Sequence, residues 1–193
     1  MDIAQEKQLL RREAKQRAAV FWQKDRSAVS AQIAARCLCL PEYQRAKTVF
    51  CFVGIAGEAD TLPLIAAMLA DGRRVAVPLC HGGGRMEARL IRGEGDLTRR
   101  GAYGIPEPAE QCPLLAPSEI DLALVPCLCC DAAGHRLGHG AGYYDRYLAG
   151  APFAWAVICP QALLLARVPA DRFDLDAGII VTEQQTLRPG QTA

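Results

Sequence analysis

The chain has 193 residues, 51% of them apolar, with 22 basic against 21 acidic side chains and a formal net charge of +1. A chain of that length builds one domain, buries roughly 70% of the surface its unfolded form exposes, and needs no disulfides or metal to do so; disorder is excluded as its main state. The balanced charge excludes a global field drawing it to nucleic acid or anionic lipid, so any anion site has to come from a local cluster.

The first twelve residues are charged where a secretion signal needs an apolar core, and no stretch approaches 18 uninterrupted apolar residues; a soluble, cytoplasmic protein is expected. Nine Cys, an odd number spread from Cys37 to Cys159, fit free thiols in a reducing compartment. Over 3–20, Leu9, Leu10, Ala14 and Ala18 recur at helical spacing opposite Lys7, Arg11, Arg12, Lys15 and Arg17, which predicts an amphipathic helix whose basic stripe is either functional or merely solvated. A second helix is predicted over 30–40, stopping before Pro41. Residues 48–53 form a short apolar strand, and 54–60 a glycine-containing loop carrying Glu58. Thr61 then caps a helix with Pro63 in its first turn, closed at Gly72 and followed by a strand over 73–79. That βαβ unit implies a parallel pair with a right-handed crossover.

His81 stands in a loop with Gly82 to Gly84, residues 86–92 alternate like a strand, and Tyr103-Gly104-Ile105-Pro106-Glu107-Pro108 is expected to be extended because proline restricts the residue before it. Residues 121–126 read as a strand buried on both faces, 154–159 and 178–181 as two more, and 184–193 as a polar C-terminal tail on a single domain spanning 1–193. Strands alternating with helices make an α/β sandwich, with function expected at the carboxyl ends of the strands.

The chemistry concentrates in Asp131-Ala-Ala-Gly134-His135-Arg136-Leu137-Gly138-His139-Gly140-Ala141-Gly142-Tyr143-Tyr144-Asp145-Arg146, between a buried strand and a helix. Alternating glycines let backbone N–H groups converge on an anion, and a helix starting near Tyr143 adds its own free N–H groups. Arg136 and Arg146 flank the loop as charge partners. Asp145 is an acid placed where phosphates would gather, which makes sense if it serves a cation such as Mg²⁺. The named nucleotide signatures fail, since Tyr143 stands where a third glycine belongs and no Lys follows the loop; a tight strand-to-helix connection without function is the alternative reading.

The whole string resembles the signature of the 5-formyltetrahydrofolate cyclo-ligase family, also called methenyltetrahydrofolate synthetases: a strand ending in Val125-Pro126, Asp131 to Gly134, then Arg136 to Leu148. Further matches follow in family order: Lys7 and Arg11, Glu58-Ala59-Asp60-Thr61, Pro78, Gly104-Ile105 with Glu107-Pro108, and Asp174 ahead of 179–183. The resemblance implies a three-layer α/β sandwich with a mostly parallel central sheet, of the NagB/RpiA/CoA transferase-like kind. It implies Mg²⁺- and ATP-dependent phosphorylation of the formyl oxygen of 5-formyltetrahydrofolate, attack by N10, and release of 5,10-methenyltetrahydrofolate, ADP and phosphate. Carried over by position, Lys7, Arg11 and Arg136, Leu137, Gly138, His139, Gly140, Ala141, Gly142, Tyr143 and Tyr144 contact ATP. Val53, Glu58 and the part of the loop from His139 to Tyr143 meet the folate, with or without a polyglutamate tail. Asp145 and Asp174 serve Mg²⁺, and Arg136, Tyr143 and Asp145 take part in the chemistry. The chain departs from the pattern at Ala141, at Phe173 and at Gly178, which leaves Asp171 and Asp176 as rivals to Asp174.

Other readings weigh less. A zinc site of Cys127, Cys130, His135 and His139 lacks zinc-finger spacing, and small core thiols account better for the cysteines. Only three Ser occur, none in a nucleophile motif. A non-catalytic nucleotide- or RNA-binding protein would use the helical basic stripe, but aromatic interleaving is missing; no nucleic-acid or membrane partner is expected, and a monomer is. Trp22 and Trp155 are expected to pack, and of Tyr143 and Tyr144 one is expected to pack and one to face the site.

Overall fold

The computed structural model of the chain describes residues 2–101 and 104–190. Asp2 caps the first helix: its carboxylate accepts from Gln5 N–H at 2.8 Å, and the Gln5 side chain accepts from Asp2 N–H at 3.3 Å. α1 (Ile3–Leu38) starts where the spacing placed it, but it continues through both predicted helices with a single break at Asp25 (φ −158°, ψ 64°). There the Asp25 carboxylate accepts from Ala28 N–H at 3.1 Å and restarts the helix as a cap would. Ala14, Ala18, Trp22, Ile33 and Cys37 are buried, so both halves lie on one core. Pro41 opens the short α2 (Pro41–Arg45), where its missing N–H costs nothing.

β1 (Thr48–Cys51), α3 (Leu62–Ala70) and β2 (Arg74–Cys80) form the expected unit, the two strands pairing in parallel with Thr48 opposite Arg74. Thr61 sits at the start of α3, yet its hydroxyl does not cap it. It donates to Phe52 O at 2.7 Å and accepts from Gly54 N–H at 2.9 Å, while Asp60 takes Leu62 N–H at 3.2 Å. The hydroxyl thus ties the loop leaving β1 back onto itself, and that loop carries Glu58.

β3 (Met86–Ile91) runs antiparallel to β2; β4 (Arg99–Arg100) pairs with β5 (Pro106–Glu107), and β6 (Leu114–Leu115) joins β3. Pro106 and Glu107 are extended as expected, whereas Gly104 is not: its φ of +73° makes a turn. Tyr103 lies outside the described residues. Then follow β7 (Leu122–Pro126), β8 (Cys129–Asp131), β9 (Arg136–Leu137), α4 (Tyr143–Leu148), β10 (Ala154–Ile158), β11 (Leu164–Leu165), β12 (Ile179–Val181) and β13 (Thr186–Leu187).

The main sheet has the order β13-β12-β10-β7-β1-β2-β3-β6, parallel from β12 to β2 and antiparallel at both edges; β8 lies between β11 and β9 in a small second sheet. Every residue of β1 and β7 is buried. Because successive side chains point to opposite faces, both faces of the sheet are covered, as expected for parallel strands. The predicted polar tail is corrected in part: Thr186 and Leu187 pair with β12, and Arg188 grips Glu42 through two bonds of 2.8 and 2.9 Å. Among the described residues no helix is long and apolar enough to cross a membrane.

From β1 the chain passes to β2 on one side, and later places β7 on the other. A parallel sheet opens a crevice at such a reversal, outside the carboxyl ends of the strands.

Candidate active site

A cavity of about 710 Å³ lies at that reversal, walled by Phe52 and Val53 beyond β1, Pro78 and Cys80 of β2, Pro126 of β7, the loop 136–145 and the inner side of α1. Of the residues singled out in the sequence, Arg11, Val53, Glu58, Arg136, Leu137, Gly138, His139, Gly140, Ala141, Gly142, Tyr143, Tyr144, Asp145 and Asp174 all line it. Lys7 does not.

The loop has the backbone its glycines suggested. Gly140 and Gly142 take φ of +101° and +70°, in the left-handed region that favours glycine, while Gly138 does not need it. Arg11 Nε donates to Gly138 O at 3.1 Å, so α1 braces the loop from outside. α4 begins at Tyr143 as predicted but is only six residues long, which leaves little helix dipole; the cations Arg11 and Arg136 are the larger source of positive charge. Arg146, expected as a second charge partner, does flank the loop but stays off the cavity wall, donating through Nε to Gly84 O at 3.0 Å and through Nη2 to Ala141 O.

Arg136 has a side chain only 4% exposed, donates to Pro126 O at 3.3 Å and forms an ion pair with Asp145 Oδ1. Its guanidinium also lies over the Tyr144 ring, 5.8 Å from the centroid. Its Nε has no partner among the described residues. The Asp145 side chain, 39% exposed on the cavity wall, has no such bond to Oδ2 among the described residues. Across the cavity, His139 Nε2 lies 3.1 Å from Glu58 Oε1, and Glu58 Oε2 accepts from Ile55 N–H at 3.2 Å. Both tyrosines reach the wall, so the expected division between a packing and a facing ring is not found: Tyr143 donates its hydroxyl to His81 O at 3.0 Å, and burial pushes the Tyr144 phenol well above its ordinary pKa, so it stays protonated.

Lys7 is buried below the cavity wall and donates to Asp171 at 2.6 Å and to Asp174. Burial alone would lower the ammonium's pKa, but the hydrogen bonds to Asp171 and Asp174 outweigh it and hold the value above the ordinary one; the same contact with Lys7 draws the Asp171 carboxyl down. Asp174 reaches the cavity; Asp171 does not, and Asp176 stands instead 3.8 Å from His135. Each acid has one oxygen engaged, Asp145 Oδ1 by Arg136 and Asp174 Oδ2 by Lys7 and by Asp171 N–H at 2.7 Å; the Asp145 side chain is the more open of the two, 39% exposed against 20%.

Three residues that pattern alone did not single out help build the site. Arg26 donates to Ile55 O at 3.0 Å and Glu58 O at 2.8 Å, clamping the Glu58 loop. Trp22 packs edge-on against Phe21, as expected of a core residue, yet also lines the cavity with an indole N–H that has no partner among the described residues. Glu107 is buried on the cavity wall and accepts from Cys80 N–H at 3.3 Å. Only Glu107 stood inside a quoted motif; helical periodicity does not separate Arg26 from other surface arginines. The four-ligand zinc set is not assembled, because His135 is held by Asp131 at 2.9 Å and His139 by Glu58.

Residues 3–183 match the model of the 5-formyltetrahydrofolate cyclo-ligase family. The 5-formyltetrahydrofolate cyclo-ligase of Escherichia coli (strain K12) is 30% identical over 160 residues, covering 78% of this chain and 86% of that protein. The enzyme of that name from Mus musculus is 27% identical over 192 residues, covering 90% and 92%. Among solved structures, the 5,10-methenyltetrahydrofolate synthetase of Aquifex aeolicus superposes with a TM-score of 0.85 at 27% identity, covering 97% of this chain and 94% of that one.

Proposed function

The chain belongs to the 5-formyltetrahydrofolate cyclo-ligase family, and from that membership we propose how its cavity carries out the reaction. The chain is an ATP-dependent ligase that closes 5-formyltetrahydrofolate to 5,10-methenyltetrahydrofolate. In our reading, the formyl oxygen takes the γ-phosphoryl group of ATP, N10 attacks the activated carbon, and phosphate leaves. An amide-like oxygen leaves poorly until phosphorylated, and phosphoryl transfer demands mainly positioning and charge neutralisation.

The observation that carries this reading is the 3.1 Å approach of His139 to Glu58. It joins the loop assigned to the phosphates to the carboxylate assigned to the folate, so donor and acceptor of the phosphoryl group meet in one cavity. The 138–142 backbone and Arg11 hold the triphosphate. Arg136, already fixed by Pro126 and Asp145, faces the charge that develops on the transferred group. Glu58, positioned by Arg26, holds the pterin side beside Val53, and Tyr143 closes the wall between the two ligands. Asp145, with Asp174 as the second acid, is where Mg²⁺ binds; when bound, it neutralises charge on the phosphates. Lys7 supports this arrangement by holding Asp174. The protein acts in the cytoplasm, on a folate whose glutamate tail leaves the cavity mouth.

Mixing the protein with 5-formyltetrahydrofolate, ATP and Mg²⁺ should produce the methenyl chromophore with one ADP per product. No product with any divalent metal would remove the reading.

A further inference from the structure

Beside this cavity, three strand ends bring three thiols together. β7 and β10 pair in parallel with Pro126 opposite Ile158, so the next residues, Cys127 and Cys159, stand side by side; Cys130, on β8, returns beneath them. Their sulfurs lie within 4.8 Å of one another. Cys127 Sγ donates to Ile158 O and Cys159 Sγ to Pro160 O, each at 3.5 Å, so both stand beside Cys130 as S–H groups. Three sulfurs each about 2.3 Å from one central atom, the distance zinc takes, lie at most about 4.0 Å from one another. The cluster therefore has to draw in by less than about 1 Å to close around a single centre.

We propose that Cys127, Cys130 and Cys159 form a capture site for a trivalent thiophilic metalloid, with arsenic(III) as its representative. The charge count selects that class. Cys130 and Cys159 are fully buried and Cys127 is 6% exposed, so any net charge left on the cluster has to be held out of water. Zn²⁺ on three thiolates leaves a negative charge and wants a fourth ligand, and among the described residues no further His, Cys, Asp or Glu reaches the cluster. Cu⁺ on three thiolates leaves two negative charges. Arsenous acid leaves none: three S–H and three As–OH bonds are replaced by three As–S bonds and three water molecules. Arsenic keeps its oxidation state, and every species is neutral.

Burial pushes the Cys127 and Cys159 thiols up, so they enter the reaction protonated, and each S–H proton leaves with a displaced hydroxyl as water. A disulfide would use only two of the sulfurs and would need an oxidant.

The test incubates the reduced full-length protein with sodium arsenite and weighs it by native mass spectrometry. The expected adduct is one arsenic per chain with loss of three hydrogens and no retained oxygen. Cys39→Ser should keep it; Cys127→Ser and Cys159→Ser, each shown to be folded by circular dichroism, should lose it or retain a hydroxyl on arsenic. X-ray absorption on the wild-type adduct, which needs no variant, should give three sulfur neighbours and no oxygen. The absence of an adduct overturns the proposal, as does an arsenic–oxygen shell, an adduct that survives both cysteine replacements, or tighter retention of zinc or copper(I) than of arsenic by the three thiols.

Discussion

Gly140 holds φ at +101°, and a Cβ built there would stand 3.3 Å from Arg11 Nε. Valine at this position meets a left-handed backbone that costs roughly 1–2 kcal/mol and crowds the arginine that braces the loop. Gly140→Val should raise the KM for ATP at least about tenfold, equivalent to ~1.4 kcal/mol of binding, with a native circular dichroism spectrum. Normal ATP saturation would mean that the loop backbone does not hold the phosphates. Asp145 answers a different question, because its carboxylate is shared between Arg136 and the cavity. Asp145→Asn keeps an oxygen for Arg136 and removes the charge. Turnover should fall by a few powers of ten and the Mg²⁺ optimum should move to higher concentration, whereas Asp171→Asn and Asp176→Asn should change little; a magnesium titration of ADP release distinguishes these outcomes. An unchanged optimum would leave Asp145 as a partner for Arg136 alone.

Among the elements, β13 depends on a contact that no periodicity announces. Its two residues pair with β12, and the following Arg188 grips Glu42 at the start of α2, which holds the Glu42 carboxyl below its ordinary value of 4.5. A carboxyl lowered by folding stabilises above its unfolded pKa, and that stabilisation disappears as the pH falls through the lower folded value. Glu42→Gln should therefore lower the melting temperature near neutral pH by about 2–4 °C, corresponding to ~1 kcal/mol for a paired surface fork. The two proteins should converge in acid. Melting curves across pH check this, and a gap of constant size would mean that shape rather than charge holds the strand. α1 illustrates the same limit of local reading. Its apolar stripe was legible at the N-terminal end, but its cap at Asp2 was not read, and 21–29 carries too little pattern to predict that Asp25 would splice two helices into one.

On the scale of the molecule, the site draws on α1, the loop after β1 and the loop after β9, so ligands bind only when these are assembled. Binding confined to the folded state stabilises it by RT ln(1 + [L]/Kd), about 2.7 kcal/mol at a hundredfold excess over Kd. ADP with Mg²⁺ at that excess should raise the melting temperature by roughly 5–10 °C, and Arg136→Ala should abolish most of the rise. A ligand-independent melting temperature in differential scanning calorimetry would count against the cavity as the nucleotide site.

The sequence by itself determined the βαβ unit, the buried strands and the glycine loop, because each rests on local rules: strand hydrophobicity, turn residues and left-handed glycine. It also contained the family signature, and with it the glycine-loop side of the cavity wall, though not the part built by Trp22 and Arg26 of α1 or by Ile55 and Ala56. Tertiary structure alone decided which charges meet. Lys7 is 164 and 167 residues from its partners Asp171 and Asp174, and His139 is 81 from Glu58. Such pairs are set by strand order and by the reversal between β1 and β7, which no local pattern encodes. The three thiols follow the same rule. Cys127 and Cys130 stand close in sequence, but Cys159 joins them only because β7 and β10 are neighbours in register.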